Sequence, residues 1–211
     1  ECFIPRPGYV FCSLDLDQAE AVALGQIFFW QYGTSTLGEA LRSNPAKDIH
    51  SILAAVLLGC PYEEVVANKK VGKYKRERQN AKYGNYGGFG GMGPTLFMST
   101  TNAKIEDVED RINLNTAAKI IGGLKVAWAP EFPRYLKDAS AATANGPTSY
   151  RHFISGRIRG LLDYSDYLNN PFQGLIADGV KEAYFKISKE MYCIKESPLY
   201  GSRLLLDLHD E

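Results

Sequence analysis

Tyr9-Val10-Phe11-Cys12-Ser13-Leu14-Asp15-Leu16-Asp17 passes from apolar to acidic within a few residues. The 9–14 stretch is apolar but for Ser13, the continuous pattern of a strand buried on both faces. Asp15 stands at its end, where the rim of a sheet can hold a divalent cation. The far end of the chain has a counterpart: Leu204-Leu205-Leu206-Asp207-Leu208, a short apolar run read as a buried strand, followed by His209-Asp210-Glu211. If the two strands are neighbours, Asp15 and Asp210 can share metals. Two Mg²⁺ ions on shared carboxylates stabilise both the attacking and the leaving oxygens of an in-line phosphoryl displacement. Magnesium tolerates so few protein ligands because substrate phosphates and water supply the rest. Two ordinary strand-end aspartates are the plain alternative, and spacing alone leaves it open.

Working inward, residues 18–30 have a helical pattern. Asp48 is a good N-cap for a helix over Ile49–Leu58, closed by Gly59 and Pro61. Its apolar stripe is Ile49, Ile52, Leu53, Val56 and Leu57, and His50 lies off it, free to point elsewhere. Residues 69–82 are densely basic: Lys69, Lys70, Lys73, Lys75, Arg76, Arg78 and Lys82, with Glu77 the one acid. A glycine-rich stretch, 84–93, follows. Arg78, Lys82 and Tyr86 fall four residues apart, so on a helix they form one slowly drifting face. Two cations and an aromatic on one face suit a triphosphate with a sugar or base beyond it: Arg offers a planar fork, Lys a point charge. A solvated basic face is the plain alternative. Residues 105–125 read as helical with a break at Gly122-Gly123, 139–147 as a surface loop, 163–171 as a turn, and 177–191 as helix.

The 211 residues are 45% hydrophobic and 23% charged with a formal net charge of zero, so charge does not announce a nucleic-acid partner. No apolar run reaches about 18 residues, so no membrane span is expected. Cys2, Cys12, Cys60 and Cys193 are too scattered for a zinc site or a disulfide framework, and read as reduced thiols of an intracellular protein, cytoplasmic or of an organelle. The start at Glu1 reads as a piece cut from a longer protein.

Together these segments resemble the motifs of family A (DNA polymerase I-like) DNA polymerases. Residues 11–20, Phe-Cys-Ser-Leu-Asp-Leu-Asp-Gln-Ala-Glu, are similar to motif A. Arg78-Gln79-Asn80-Ala81-Lys82 with Tyr86-Gly87 is similar to motif B, and 204–211 to motif C, which ends His-Asp-Glu. Asp48-Ile49-His50 and Asn169-Asn170-Pro171-Phe172-Gln173-Gly174 resemble two further family segments, in the family's order. Asn80-Ala81-Lys82 looks most like phage-type and mitochondrial members. The resemblance implies a template-directed polymerase that adds deoxynucleotides to a primer 3′ end. Asp15 and Asp210, with the Leu16 carbonyl, would hold two Mg²⁺ ions and Glu211 would support them. Arg78 and Lys82 would grip the deoxynucleoside triphosphate, Lys82 also neutralising charge in the catalytic step, assisted by His50 and Gln18. Tyr86 would pack on its sugar and base, and Glu20 would exclude a ribose 2′-hydroxyl. Gln173, Asn169 and His209 would touch primer-template DNA. Any processivity factor is unspecified.

This chain departs from the family pattern at Leu16, at Asp17 and at Gly90, where a tyrosine is usual; Gly90 puts the restraint on Glu20, and hence sugar discrimination, in doubt. Gly84, Gly87 and Gly88 should loosen the motif B helix, at about 1 kcal/mol each relative to Ala. The implied fold is α/β but mostly helical. A palm (1–32 and 152–211) carries a small antiparallel sheet of the motif A and motif C strands, and helical fingers span 33–151. The family's thumb, and the strand after motif C, lie outside the sequence, so the chain alone is expected to have little or no activity. Three rivals stand: a single-subunit RNA polymerase, a nucleic-acid-binding domain with a decayed site, and a metal-dependent nuclease.

Overall fold

The structure, a computed structural model, describes residues 4–205. In chain order it contains α1 (Ala19–Tyr32), α2 (Thr36–Arg42), α3 (Ile49–Leu58), α4 (Tyr62–Asn68), α5 (Gly72–Phe89), α6 (Pro94–Asn102), a 3-10 turn (Val108–Asp110), α7 (Leu114–Ala127), α8 (Glu131–Ala142), β1 (Thr148–Arg151), β2 (Ile158–Leu162) and α9 (Tyr164–Tyr192). The fold is mostly helical with a small antiparallel sheet. β1 and β2 form a hairpin, pairing Tyr150 with Arg159 and Arg151 with Ile158, with an irregularity before Tyr150.

Two packing groups meet in one core. α3 lies against α5 and α7, while α1 lies against α2 and α9. Aromatic rings join them: Phe28 of α1 meets Phe132 and Tyr135 of α8 at 6.4 and 5.5 Å, and Phe89 of α5 meets Phe132 at 6.0 Å. Trp128, Phe28 and Leu24 are fully buried, and each such side chain contributes about 1.5–3 kcal/mol through removal from water.

α3 has the expected bounds, with Asp48 as its cap. Other expectations are corrected. The 9–14 stretch is not a buried strand: Val10 is 88% and Leu14 86% exposed, and no described segment pairs with it. A strand needs a ladder partner, and among the described residues the sheet is β1–β2 alone. Leu204 and Leu205 are likewise exposed and outside any strand, while 206–211 lie outside the described residues. The helix expected over 105–125 begins only at Leu114, capped by Asn113, and runs through Gly122-Gly123 unbroken. The expected loop at 139–147 is helical as far as Ala142. The expected turn at 163–171 is the start of α9, capped by Asp163, with Pro171 inside the helix. Proline forfeits one helical hydrogen bond. Burial of Leu168, Pro171 and Phe172 and a 2.6 Å bond from the Tyr135 hydroxyl to the Leu168 carbonyl hold that turn in place.

Candidate functional site

Asp48 does two jobs at the head of α3. Its Oδ1 accepts from the backbone N–H of His50 and Ser51 at 3.1 and 3.4 Å, closing the helix end. Its Oδ2 accepts from the Ser51 hydroxyl at 2.9 Å and from Arg78 Nε at 2.7 Å. Burial pushes the Asp48 carboxyl pKa upward. The bonds from Arg78 and Ser51 and the Arg78 charge outweigh that and hold it below the ordinary value. Asp48 uses only Nε, and among the described residues the two terminal nitrogens of Arg78 make no other bond. The fork that matches phosphate oxygens is thus fixed in direction and open.

His50 follows from the same cap. It is 6% exposed, so the expectation that it points freely away from the core is corrected. A chain of donors determines its state. The indole Nε1 of Trp128 donates to Asn85 Oδ1 at 3.0 Å. An indole N–H only donates, which orients the Asn85 amide. Its Nδ2 then faces His50 Nδ1 at 3.0 Å and the Ile49 carbonyl at 3.3 Å. Nδ1 therefore accepts, and the ring proton sits on Nε2. Burial, then the charges of Arg78 and Lys82, push the His50 pKa down to about 4 against the pull of Asp48 and Asp17. At neutral pH the ring is uncharged.

Lys82 and Tyr86 follow Arg78 along α5. Lys82 is exposed, and the Tyr86 ring, 39% exposed, lies 5.6 Å from the His50 ring at an interplanar angle of 55°. The glycines of α5 have a packing role. A Cβ on Gly84 would fall 2.5 Å from Ile120, and one on Gly88 would collide with Leu124, both on α7. Close approach of the two helices offsets the poor helix propensity. Gly90 ends α5 against Asn169, whose side-chain oxygen would lie 2.7 Å from an added Cβ.

His50, Arg78, Lys82 and Tyr86 thus share one surface. Asp17 is near enough for its charge to act on His50. Asp15 and Leu16 are exposed in a segment outside any helix or strand, and Gln18 and Glu20 are half-buried where α1 begins. Asn169 donates to the Ser165 carbonyl at 2.9 Å and packs on Gly90, and Gln173 is exposed on α9. His209, Asp210 and Glu211 lie outside the described residues. Among the described residues no three His, Cys, Asp or Glu side chains cluster as metal ligands. Asp15 supplies a hard oxygen donor that makes no ion pair or hydrogen bond among the described residues, which suits Mg²⁺ in chemistry. Sequence reasoning missed three contributors: Asp48 as the holder of Arg78, Asn85, and Trp128. Asn85 had a signal, being a polar residue set among Ala81, Gly84 and Gly88 on one side of α5.

The chain is 26% identical over 214 aligned positions to proteins called DNA polymerase I from Mycobacterium bovis (strain ATCC BAA-935 / AF2122/97) and from Mycobacterium tuberculosis strains CDC 1551 / Oshkosh and ATCC 25618 / H37Rv. The alignment covers 100% of this chain and 22% of each relative, so the chain spans about a fifth of the length of the curated relatives it matches. No family model matches it.

Proposed function

We propose that this chain is the nucleotide-gripping part of a template-directed DNA polymerase, extending a primer 3′ end with deoxynucleotides. The observation that carries the reading is the surface where α3 and α5 cross: an open arginine fork, an exposed lysine, and an aromatic ring beside a neutral imidazole. The likeness of this chain, along all of its length, to about a fifth of DNA polymerase I supports it. On this reading 1–32 and 152–211 form the palm and 33–151 the fingers. The triphosphate lies along Arg78 and Lys82, which neutralise charge as it moves onto the leaving phosphates. Asp48 keeps the Arg78 fork aimed, so little ordering is needed when substrate arrives. His50, uncharged, offers its Nε2–H as a hydrogen-bond donor rather than a third cation. Tyr86 packs on sugar and base, Glu20 bars a 2′-hydroxyl, and Gln18 assists. Gln173, Asn169 and His209 meet primer and template. Asp15, the Leu16 carbonyl and Asp210, with Glu211 in support, are the residues that would hold two Mg²⁺ ions. Such ions, when bound, stabilise the attacking and leaving oxygens.

The test is primer extension by the full-length protein carrying this chain, with Mg²⁺ and deoxynucleotides, beside its Asp210→Ala variant. Template-dependent extension that disappears in the variant supports the reading. Intact primer-template binding without extension by the wild type would turn it into a binding domain with a decayed site. Preferential use of ribonucleotides would turn it into an RNA polymerase.

A further inference from the structure

α5 carries a second basic face. At about 100° per residue, Lys73, Arg76 and Asn80 lie roughly opposite Arg78, Lys82 and Tyr86 around the helix. They line a cleft of about 330 Å³, closed on the other side by Arg111 and the first turn of α7 with Thr116. That volume lies at the low end of ligand-sized sites, about 300–1,000 Å³.

Three features point to a ligand. The first is charge: three cations face one acid, Glu77, and among the described residues Lys73 and Arg111 form no ion pair. Arg76 has only a 3.5 Å contact with the Glu109 carbonyl. The second is Asn80, which lines the cleft, is only 6% exposed, and makes no side-chain hydrogen bond among the described residues. Its amide atoms reach the cleft surface, where they offer a donor and an acceptor to a ligand. The third is α7, a 14-residue helix capped by Asn113, whose positive end opens on the cleft.

We propose that this cleft binds the phosphate backbone of a single-stranded polynucleotide. The choice of a polynucleotide rests on the polymerase reading above. Charge favours it over a free triphosphate: three cations less one acid leave a net charge of two, which matches two phosphodiesters. Asn80 and Thr116 supply hydrogen bonds to the phosphates or sugar between them. The strand is held on the side of α5 away from the incoming nucleotide, and so leaves Arg78 and Lys82 free.

The experiment is fluorescence anisotropy of a short labelled oligothymidylate with the full chain, titrated over a range of KCl, beside an Arg76→Gln/Arg111→Gln double variant. Losing two phosphate contacts should lower the log–log salt slope by about 1.4 and weaken binding about tenfold at low salt. Each single variant should show about half the slope change, which covers the case in which the double variant does not fold. A Lys82→Ala variant should lose Mg²⁺–deoxynucleotide binding and keep the oligonucleotide slope. An unchanged slope in the double and single variants would overturn the proposal. So would tripolyphosphate, or a polyglutamate peptide, displacing the strand from the wild type at lower concentration than an unlabelled oligonucleotide. Primer extension reads the other site separately: strand binding through the cleft without extension defeats only the polymerase reading, and extension with an unchanged slope defeats only this one.

Discussion

At the scale of single residues, the site is governed by what each polar group is able to do. The Trp128 indole can only donate, Asn85 must therefore present its oxygen to it, and His50 Nδ1 must accept from the other end of the amide. One buried asparagine, 0% exposed, thus selects the tautomer of a histidine on another helix. Substituting Asn85→Leu keeps the volume and removes all three bonds. It strands the indole N–H and leaves His50 Nδ1 without its donor in a dry interior, at a cost on the order of 2 kcal/mol or more. Urea unfolding should show that loss, and nitrogen-detected NMR at neutral pH should show the Nε2–H tautomer of His50 only in the wild type. A single tautomer that survives in the variant would mean that Asn85 does not select it. The sequence displayed His50, Arg78, Lys82 and Tyr86 as candidates because their types advertise chemistry. It concealed Asp48's hold on Arg78, a contact between residues far apart in the chain that no periodicity encodes.

At the scale of elements, local signals decided some helices and tertiary packing decided others. α3 was legible to the residue because its cap, its apolar stripe and its terminating Gly59 agree. The 9–14 stretch was misread because continuous apolarity predicts burial only where a partner covers it, and none of the described residues does. Gly122-Gly123 suggested a break, but α7 runs straight through because Gly123 is where Leu57 and Leu53 of α3 fit. α5 makes the same trade, and that yields a paired prediction. Gly88→Ala gains helix propensity but drives a methyl into Leu124 and should destabilise by about 1–3 kcal/mol net. Gly122→Ala meets nothing within 4 Å and lies on the exposed side of α7, so it should stabilise by up to about 1 kcal/mol. Thermal or urea midpoints of the two variants should move in opposite directions. A Gly88→Ala protein as stable as wild type would show that α5 and α7 are not packed as closely as this.

At the scale of the whole molecule, a chain of zero formal net charge sets cations on two faces of one helix, α5, and buries a histidine between that helix and its neighbours. Burial and the nearby cations lower the His50 pKa from 6.5 to about 4, and the sign of the consequence follows. As pH falls through about 6.5 the unfolded chain takes up a proton that the folded chain refuses until about 4. The unfolded state binds more protons across that window, so stability declines as pH falls through it. Asp48, also held below its ordinary value of 3.8, acts in the same direction but later, losing its contribution only as pH drops through and below that value. His152 is lowered as well, by burial and then by Arg157, and adds to the upper window. Urea midpoints should therefore fall between about pH 7 and about pH 4.5, and the His50→Gln variant, which has nothing to titrate at that position, should fall less steeply. Parallel curves for the two proteins would mean that His50 titrates in the folded state as it does in the unfolded one. That outcome would undo both its burial and the uncharged role given to it beside the nucleotide.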